Sequence, residues 1–437
     1  MKIAFYTLGC KVNNAETEGI IRQFVSNGWE VVSFNEAADV YVVNSCAVTS
    51  LAEAKSRKAV AAVRRRMVDD GKKPIIAVMG CASEIGESKF KADIVLGTKD
   101  RDKLYDRVVE IVGADLCVCP RASTQARPYE RTRKIIKIQD GCENYCAYCI
   151  IPLARGKEKS RDISEVLDEI REKPASEVVL VGIHVSSWQM IDDRGQKLDL
   201  IDLVKEVSKI EGVHRVRLGS LEPHDLDEGF IEKAAELCAE SRWVASSQAP
   251  RNDGGKLCPH FHISLQSGSD SVLRRMGRKY SFEDFYKIVK SLKEKIPNCA
   301  ITTDVIVGFG GETLAEFEES LANIERCGFS KIHVFPYSER EGTAGASEEF
   351  LAEFGSVPKD ERKRRAKILG ELAEQVHKEF LEAQMGQVAE IVWEKNGGYT
   401  PNYARVIVDG DFVSGEIVRV KIVESDGERC FGEVIKE

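Results

Sequence analysis

At 437 residues the chain is too long for one ordinary core, and two or three domains are expected. Its 43% hydrophobic and 31% charged residues suit a soluble globular protein, and no run approaches the roughly 18 apolar residues of a membrane span. A formal net charge of −8 excludes indiscriminate binding to nucleic acid but leaves room for local basic patches.

The opening M-K-I-A-F-Y-T-L-G-C reads as a first strand rather than a signal peptide. The thirteen cysteines are therefore expected to be cytosolic and reduced, which points to metal or redox roles. Residues 2–8 predict a strand, and 15–27 a helix with Ile20, Ile21, Phe24 and Val25 on one face. Strands at 30–34 and 40–44, a basic helix over 52–68, and strands at 74–79 and 93–96 continue the alternation. That pattern predicts a doubly wound parallel α/β domain. Cys10, Cys46 and Cys81 each fall just past the C-terminal end of a different strand, the edge where open α/β sheets build their sites. Three small buried hydrophobes would not all choose that edge, so a cluster held by three cysteines is the better reading.

Residues 113–133 read as a linker. Its Cys117 and Cys119, one residue apart, point to opposite sides of an extended chain and are given structural roles. The basic run over 121–137 suits an RNA backbone and a solvated linker equally.

From residue 134 six strand–helix units are expected, with strands at 134–139, 177–182, 215–219, 260–266, 300–308 and 331–337. Helices are expected over 164–172, 200–211, 227–239, 282–295 and 314–327. Six units rather than eight predict a partial (β/α)6 barrel. D-G-C-E-N-Y-C-A-Y-C at 140–149 follows the first of these strands, so it belongs at the C-terminal mouth, where barrel active sites lie. Cys142, Cys146 and Cys149 stand in the spacing C-x3-C-x2-C. Three thiolates so close cannot all find disulfide partners among themselves, but they can ligate three irons of one cluster. Iron–sulfur clusters commonly take four cysteines, so one iron stays open, as does the reactive position on catalytic zinc. Zinc itself favours C-x2-C pairs, which argues against it.

Other strand ends gather at the same face. Gly182 and His184 follow the second strand, residues 219–222 the third, and Gln266-Ser267-Gly268-Ser269-Asp270 the fourth. Asp304 sits inside the apolar run of the fifth, where an unpaired carboxylate is costly. Arg217 alternates with Val216 and Leu218, so it points into the barrel or out to solvent. Residues 243–258 read as a polar loop without a motif. The charges of K-D-E-R-K-R-R-A-K-I-L at 359–369 read as a solvated helix face rather than an RNA contact. Beyond 386, short strands at 388–394, 403–407, 417–424 and 431–434 predict a small all-β barrel of the OB kind. It is more acidic than basic, so any RNA contact would rest on a patch or on aromatics such as Tyr399 and Tyr403.

The cysteine triad, with Tyr148 before its third member, resembles the signature of the radical S-adenosylmethionine superfamily. T-L-G-C-K-V-N at 7–13, N-S-C-A-V-T at 44–49 and M-G-C-A at 79–82 resemble the amino-terminal domain of the methylthiotransferases within it. L-Q-S-G-S-D, T-D-V-I-V-G-F and H-V-F-P-Y-S-E-R-E-G-T-A resemble their central segments, and G-Y-T-P-N-Y-A-R-V resembles the TRAM domain that ends them. L-G-C-K-V-N-N-A-E-T is most similar to the branch acting on threonylcarbamoyladenosine in tRNA. Where the family has proline after Phe309, this chain has Gly310.

The resemblance covers nearly the whole chain. It implies a cluster domain over 1–116, a linker over 117–132, a radical domain over 133–370, a connecting helix over 371–385 and a TRAM domain over 386–437. It further implies two [4Fe-4S] clusters, an auxiliary one on Cys10, Cys46 and Cys81 and a catalytic one on Cys142, Cys146 and Cys149. Tyr148, Gly182, Gln266, Ser267 and Asp304 are the implied contacts of S-adenosylmethionine. The implied reaction is methylthio transfer to C2 of the modified adenine at position 37, whose C–H bond is neither acidic nor polarised and so calls for a radical. Its implied partners are the anticodon loop of tRNA and a reduced electron donor such as flavodoxin or ferredoxin, with the enzyme a cytoplasmic monomer free of membrane. Alternative targets are isopentenyladenosine in tRNA and a ribosomal-protein aspartate; G-C-K-V-N and M-G-R-K-Y at 276–280 favour a tRNA target over the ribosomal-protein one. A non-catalytic Fe–S or zinc RNA-binding protein is the reading from another class, and the asymmetry of the Cys142 loop counts against it.

Overall fold

The structure is a computed structural model that describes residues 1–66, 73–112, 132–239 and 256–435. Cys117, Cys119 and nearly all of the expected linker lie outside the described residues, as does most of the 243–258 loop. Among the described residues no helix is long and apolar enough to cross a membrane.

The N-terminal segment forms one parallel sheet in the order Glu30–Val32, Lys2–Thr7, Val40–Ser45, Ile75–Gly80, Ile94–Val95. Alternation along the strands supplies two cores, one on each face. Val40, Val42 and Met79 pack with Phe24 of helix Lys11–Ser26 and Leu104 of helix Leu104–Val112. Tyr41, Val43 and Val78 pack with Val60 and Val63 of helix Ser50–Val63. Helices on both faces of a parallel sheet make the expected doubly wound domain. Val25 departs from its predicted face: the buried stripe runs through Asn13, Thr17, Ile20 and Phe24, and Val25 is exposed.

The central strands form two parallel sheets. One holds Arg133–Lys137, Glu177–Val181 and Arg215–Leu218; the other holds Ser220–Leu221, His260–Ile263, Ala300–Val307 and Lys331–Pro336. The third predicted strand is shared between them and breaks at Gly219, where a Cβ would press on the Leu180 carbonyl at 3.2 Å. One extensive core runs under both sheets and their helices, giving the incomplete barrel.

The basic helix does not stop at residue 369 or 370. It runs unbroken over Lys359–Glu382, so the expected connecting helix is its second half. Nor is its charge all solvated. Arg365 is buried and donates to both the backbone and the carboxylate of Glu312 at 2.7 Å. Arg362 donates to the Tyr337 carbonyl at 3.0 Å.

A closed barrel ends the described chain, in the order Val388–Glu394, Gly397–Tyr399, Arg405–Val408, Cys430–Val434, Ile417–Ser425. Gly397–Tyr399 is a strand where the N-G-G signal predicted only a turn. A Cβ on Gly398 would lie 2.3 Å from the Val392 carbonyl, so its bareness serves strand contact.

This small barrel meets the N-terminal ends of the central strands. Glu177 accepts from Arg215 Nε at 2.6 Å and from Arg217 Nε at 2.9 Å, all three side chains fully buried. Arg215 donates onward to the Tyr399 carbonyl at 2.8 Å, and Arg217 to those of Pro401 and Thr400 at 2.9 and 3.2 Å. The Arg217 guanidinium lies 4.4 Å from the Tyr403 ring, which stacks on Tyr399 at 4.7 Å. Arg217 therefore points neither into a site nor to solvent, and Tyr399 and Tyr403 are packed on protein cations rather than set out for RNA.

Gly310 has its own turn chemistry. Gly310 and Gly311 have φ of +35° and +66°, and Glu312 N–H donates to the Phe309 carbonyl at 2.9 Å, a turn with both central residues left-handed. Proline is locked near −65°, and a Cβ on Gly310 would stand 2.6 Å from the Phe350 ring. Restoring the family's residue by Gly310→Pro is expected to lower stability by roughly 1–3 kcal/mol in urea denaturation; an unchanged midpoint would show that the turn relaxes freely.

Candidate metal centres

By its contacts the chain divides into two units, the first made of Met1–Arg131, Gly141–Lys157 and Ser338–Thr343, the second of the rest.

In the first unit, Cys10 precedes helix Lys11–Ser26, Cys46 follows strand Val40–Ser45 and Cys81 opens the short helix Cys81–Ile85. Their loops are stapled together by amides and hydroxyls. Asn13 Nδ2 donates to the carbonyls of Leu8 and Ser45 at 2.7 and 3.2 Å, and Ser45 Oγ donates to that of Met79 at 2.7 Å. Gly9, at φ +109°, lets the Cys10 loop approach: a Cβ there would lie 3.2 Å from Cys46 Sγ. Burial pushes the Cys81 thiol up to about 12, opposed by the Arg155 guanidinium and reinforced by Cys10. Burial also raises Cys46, with the Val48 amide opposing and Cys10 again adding. Cys10 thus acts on both Cys46 and Cys81 from a braced loop, and three thiols on such loops are a donor set that fits an iron–sulfur cluster, whose ligation removes the thiol protons outright.

The loop carrying Cys142, Cys146 and Cys149 closes on itself. Gly141 sits at φ +74°, where a Cβ would fall 2.0 Å from the Lys157 carbonyl, and Cys142 N–H donates to the Gly156 carbonyl at 3.1 Å. Cys149 N–H donates to the Cys146 carbonyl at 2.9 Å, folding the C-x2-C half into a turn. Cys142 and Cys149 are partly exposed and Cys146 is nearly buried. Tyr148 is half-buried, while Tyr145, at φ +47°, is 65% exposed. Three sulfurs in one tight loop, two of them accessible, fit a cluster with one face open.

Beyond the loop, Ile150 and Ala154 are buried in the same core cluster as Cys81, and Thr98 Oγ1 donates to the Ala154 carbonyl at 2.6 Å. Arg155, which sequence reasoning passed over, ends there with its side chain fully buried. Its Nε is 3.3 Å from Cys81 Sγ, Nη1 is 2.8 Å from Glu16 Oε1, and Nη2 is 2.8 Å from Asn13 Oδ1. Arg340, in Ser338–Thr343, pairs with buried Glu53 at 2.5 Å.

In the second unit, Gly182 passes close to Gln139, whose Cβ a side chain would meet at 2.9 Å. Gln139 Oε1 accepts from the His184 amide at 2.7 Å. The buried His184 ring lies between two carboxylates, Glu158 Oε1 at 2.7 Å from Nδ1 and Asp225 Oδ2 at 2.6 Å from Nε2. Burial acts to raise the Asp225 carboxyl, but His184 holds it below its ordinary value.

Gln266, at φ +69°, donates its N–H to the Asp304 carbonyl at 2.9 Å, and its carbonyl accepts from Ile306 N–H at 2.8 Å. Ser267 is buried and its hydroxyl accepts from the Ser269 amide at 3.2 Å. Asp304 is partly exposed and lies 3.3 Å from His262 Nε2. Thr302 Oγ1 holds the other ring nitrogen of His262 at 2.8 Å, and His333 completes a group whose ligating atoms all lie within 4.8 Å. The structure thus brings Gln266 and Asp304 into one backbone ladder and adds two histidines. Alternate strand positions were the signal for them, since Asp304 stands in register with His333 and His262 with Thr302, two positions before Asp304 on the same strand.

Residues 136–324 match the Radical SAM superfamily and residues 2–97 the Uncharacterized protein family UPF0004. A Threonylcarbamoyladenosine tRNA methylthiotransferase MtaB of Bacillus subtilis (strain 168) is 36% identical, covering 97% of this chain and 94% of its own length. A tRNA-2-methylthio-N(6)-dimethylallyladenosine synthase of Alkaliphilus oremlandii is 30% identical, covering 100% of this chain and 93% of its own. Among solved structures, a radical S-adenosylmethionine methyltransferase, TsrM, from Kitasatospora setae shares the fold, with a TM-score of 0.52 and 12% identity over 79% of this chain and 77% of that one. Matched along nearly its whole length, the chain belongs to the MtaB-type radical S-adenosylmethionine methylthiotransferases, which work with S-adenosylmethionine and [4Fe-4S] clusters.

Proposed function

We propose that this enzyme places a methylthio group on C2 of N6-threonylcarbamoyladenosine at position 37 of tRNA. The observation that carries the reading is the pair of cysteine triads, one on a sheet edge and one in a self-closed loop, each suited to an iron–sulfur cluster. The choice of adenosine is supported by the higher identity to the relative named for threonylcarbamoyladenosine, 36% against 30% for the one named for dimethylallyladenosine.

In this reading Cys10, Cys46 and Cys81 hold the auxiliary cluster, and Cys142, Cys146 and Cys149 the catalytic one. When bound, the clusters and S-adenosylmethionine supply a primary carbon radical and a site for sulfur. The chain's own residues hold and orient. Gly141 lets the Cys142 loop close, Asn13 and Ser45 fix the auxiliary loops, and Tyr148, Gly182, Gln266, Ser267 and Asp304 are assigned to S-adenosylmethionine. Gln266 would act through its side chain, because its backbone already pairs with Asp304 and Ile306. The target base must be splayed from its loop to reach such a site, as single-stranded RNA permits. A reduced donor of the flavodoxin or ferredoxin class and a monomeric state complete the proposal.

The test uses anaerobically reconstituted enzyme, S-adenosylmethionine and a reductant, offered two tRNAs that differ only in carrying threonylcarbamoyladenosine or dimethylallyladenosine. Nucleoside mass spectrometry is expected to show hydrogen replaced by methylthio on the first alone. Modification of the second alone would reassign the substrate, and modification of neither, with S-adenosylmethionine still cleaved, would sink the tRNA reading.

A further inference from the structure

We infer that Arg155 sets the electronic properties of the auxiliary site while belonging, by sequence, to the loop of the other cluster. The inference rests on the proposed assignment of Cys10, Cys46 and Cys81 as ligands. Arg155 stands six residues after Cys149, at the end of the short helix Ile151–Arg155. Its guanidinium is sealed from solvent, with Nε directed at Cys81 Sγ at 3.3 Å. That length is a normal N–H···S contact, within the wider limit that sulfur's size requires.

The rest of the guanidinium is held just as firmly. Glu16 takes Nη1 at 2.8 Å and Nη2 at 3.2 Å, and Asn13 takes Nη2 at 2.8 Å. Asn13 is the residue whose amide bridges the Leu8 and Ser45 carbonyls, beside Cys10 and Cys46. One planar fork therefore touches the Cys81 sulfur directly and the other two cysteine loops through a single side chain. Planar, multiply bonded recognition of this kind belongs to arginine and is lost with lysine.

Hydrogen bonds to ligand sulfurs and nearby net charge are the levers by which a protein sets a cluster's potential. The auxiliary cluster gains one electron on reduction, so an N–H fixed on its sulfur favours the reduced form, the guanidinium charge itself being shared with Glu16. Arg155 is a positioning residue in this sense. It adds no ligand, but it links the potential of one site to the placement of the loop that carries the other.

The experiment uses the full chain with Cys142, Cys146 and Cys149 replaced by alanine, so that only the auxiliary cluster contributes. Iron is counted first, and the midpoint is then found by dithionite titration followed by electron paramagnetic resonance. Arg155→Gln is expected to keep about four irons and to lower the reduced-to-oxidised ratio on the order of tenfold at the parent's midpoint, about 59 mV for a one-electron couple. Arg155→Lys, which keeps the charge but not the fork, is expected to fall between the two. Unchanged midpoints in both variants would overturn the inference, and so would loss of iron from both, which marks a purely structural residue. If the parent itself holds no iron, it is the ligand assignment that fails.

Discussion

The Cys142→Ala/Cys146→Ala/Cys149→Ala variant is expected to retain about four irons where the wild type, reconstituted without oxygen, holds about eight. Its cleavage of S-adenosylmethionine to 5′-deoxyadenosine is expected to fall to background, because a cluster with an open iron is the part that performs it. The Gly141 turn and the Ile150–Ala154 packing lie outside the three thiols, so the fold should survive. The reciprocal variant, with Cys10, Cys46 and Cys81 changed to alanine, should keep S-adenosylmethionine cleavage and lose methylthio transfer. Iron and sulfide analysis beside chromatography of the nucleoside product reads both. A wild type with only about four irons would remove the auxiliary cluster and the proposed sulfur chemistry with it.

Glu177→Gln carries the largest expected cost in stability, about 3–5 kcal/mol, because it leaves Arg215 and Arg217 buried without their counter-charge. Burial alone would raise the Glu177 carboxyl, but the guanidinium of Arg217, then that of Arg215, holds it well below the usual carboxylate range. A folded-state value below the unfolded one stabilises fully above the ordinary 4.5 and is lost as pH falls through the folded value. Urea denaturation of the wild type should therefore weaken as the solution is acidified below about 4.5, and the Glu177→Gln variant should weaken less over the same range. A variant within about 1 kcal/mol of wild type at neutral pH would mean that water or backbone carbonyls already neutralise the pair.

The placement of the six cysteines in the fold was legible because their spacing is local or follows strand ends. C-x3-C-x2-C sits in one loop, and Cys10, Cys46 and Cys81 each trail an apolar strand that period and length identify. The closed C-terminal barrel was legible from turns and alternation, except at Gly397–Tyr399, where glycines hide a strand. Partners far apart in the chain were not legible. Arg217 read as pointing into the barrel or out to solvent because Thr400 and Pro401, whose carbonyls it meets, lie some 184 positions away. Arg155 gave no local sign, since Glu16 and Asn13 precede it by about 140 residues. The helix Lys359–Glu382 reads as uniformly charged, and only the fold distinguishes Arg362 and Arg365, tied to carbonyls, from exposed Lys363 and Lys367. Gly310 was legible as a departure but not as a left-handed turn, which depends on Phe350 standing above it.

The polypeptide passes from one unit to the other after residues 131, 140, 157, 337 and 343. A chimaera that exchanged only the first 131 residues with a relative would leave Arg155 facing a foreign Glu16 and Arg340 a foreign Glu53. A graft that respects the molecule must carry three segments together, the last only six residues long, Ser338–Thr343. Recombination at a single crossover would thus rarely yield a working hybrid, so the two halves are expected to be inherited as one block.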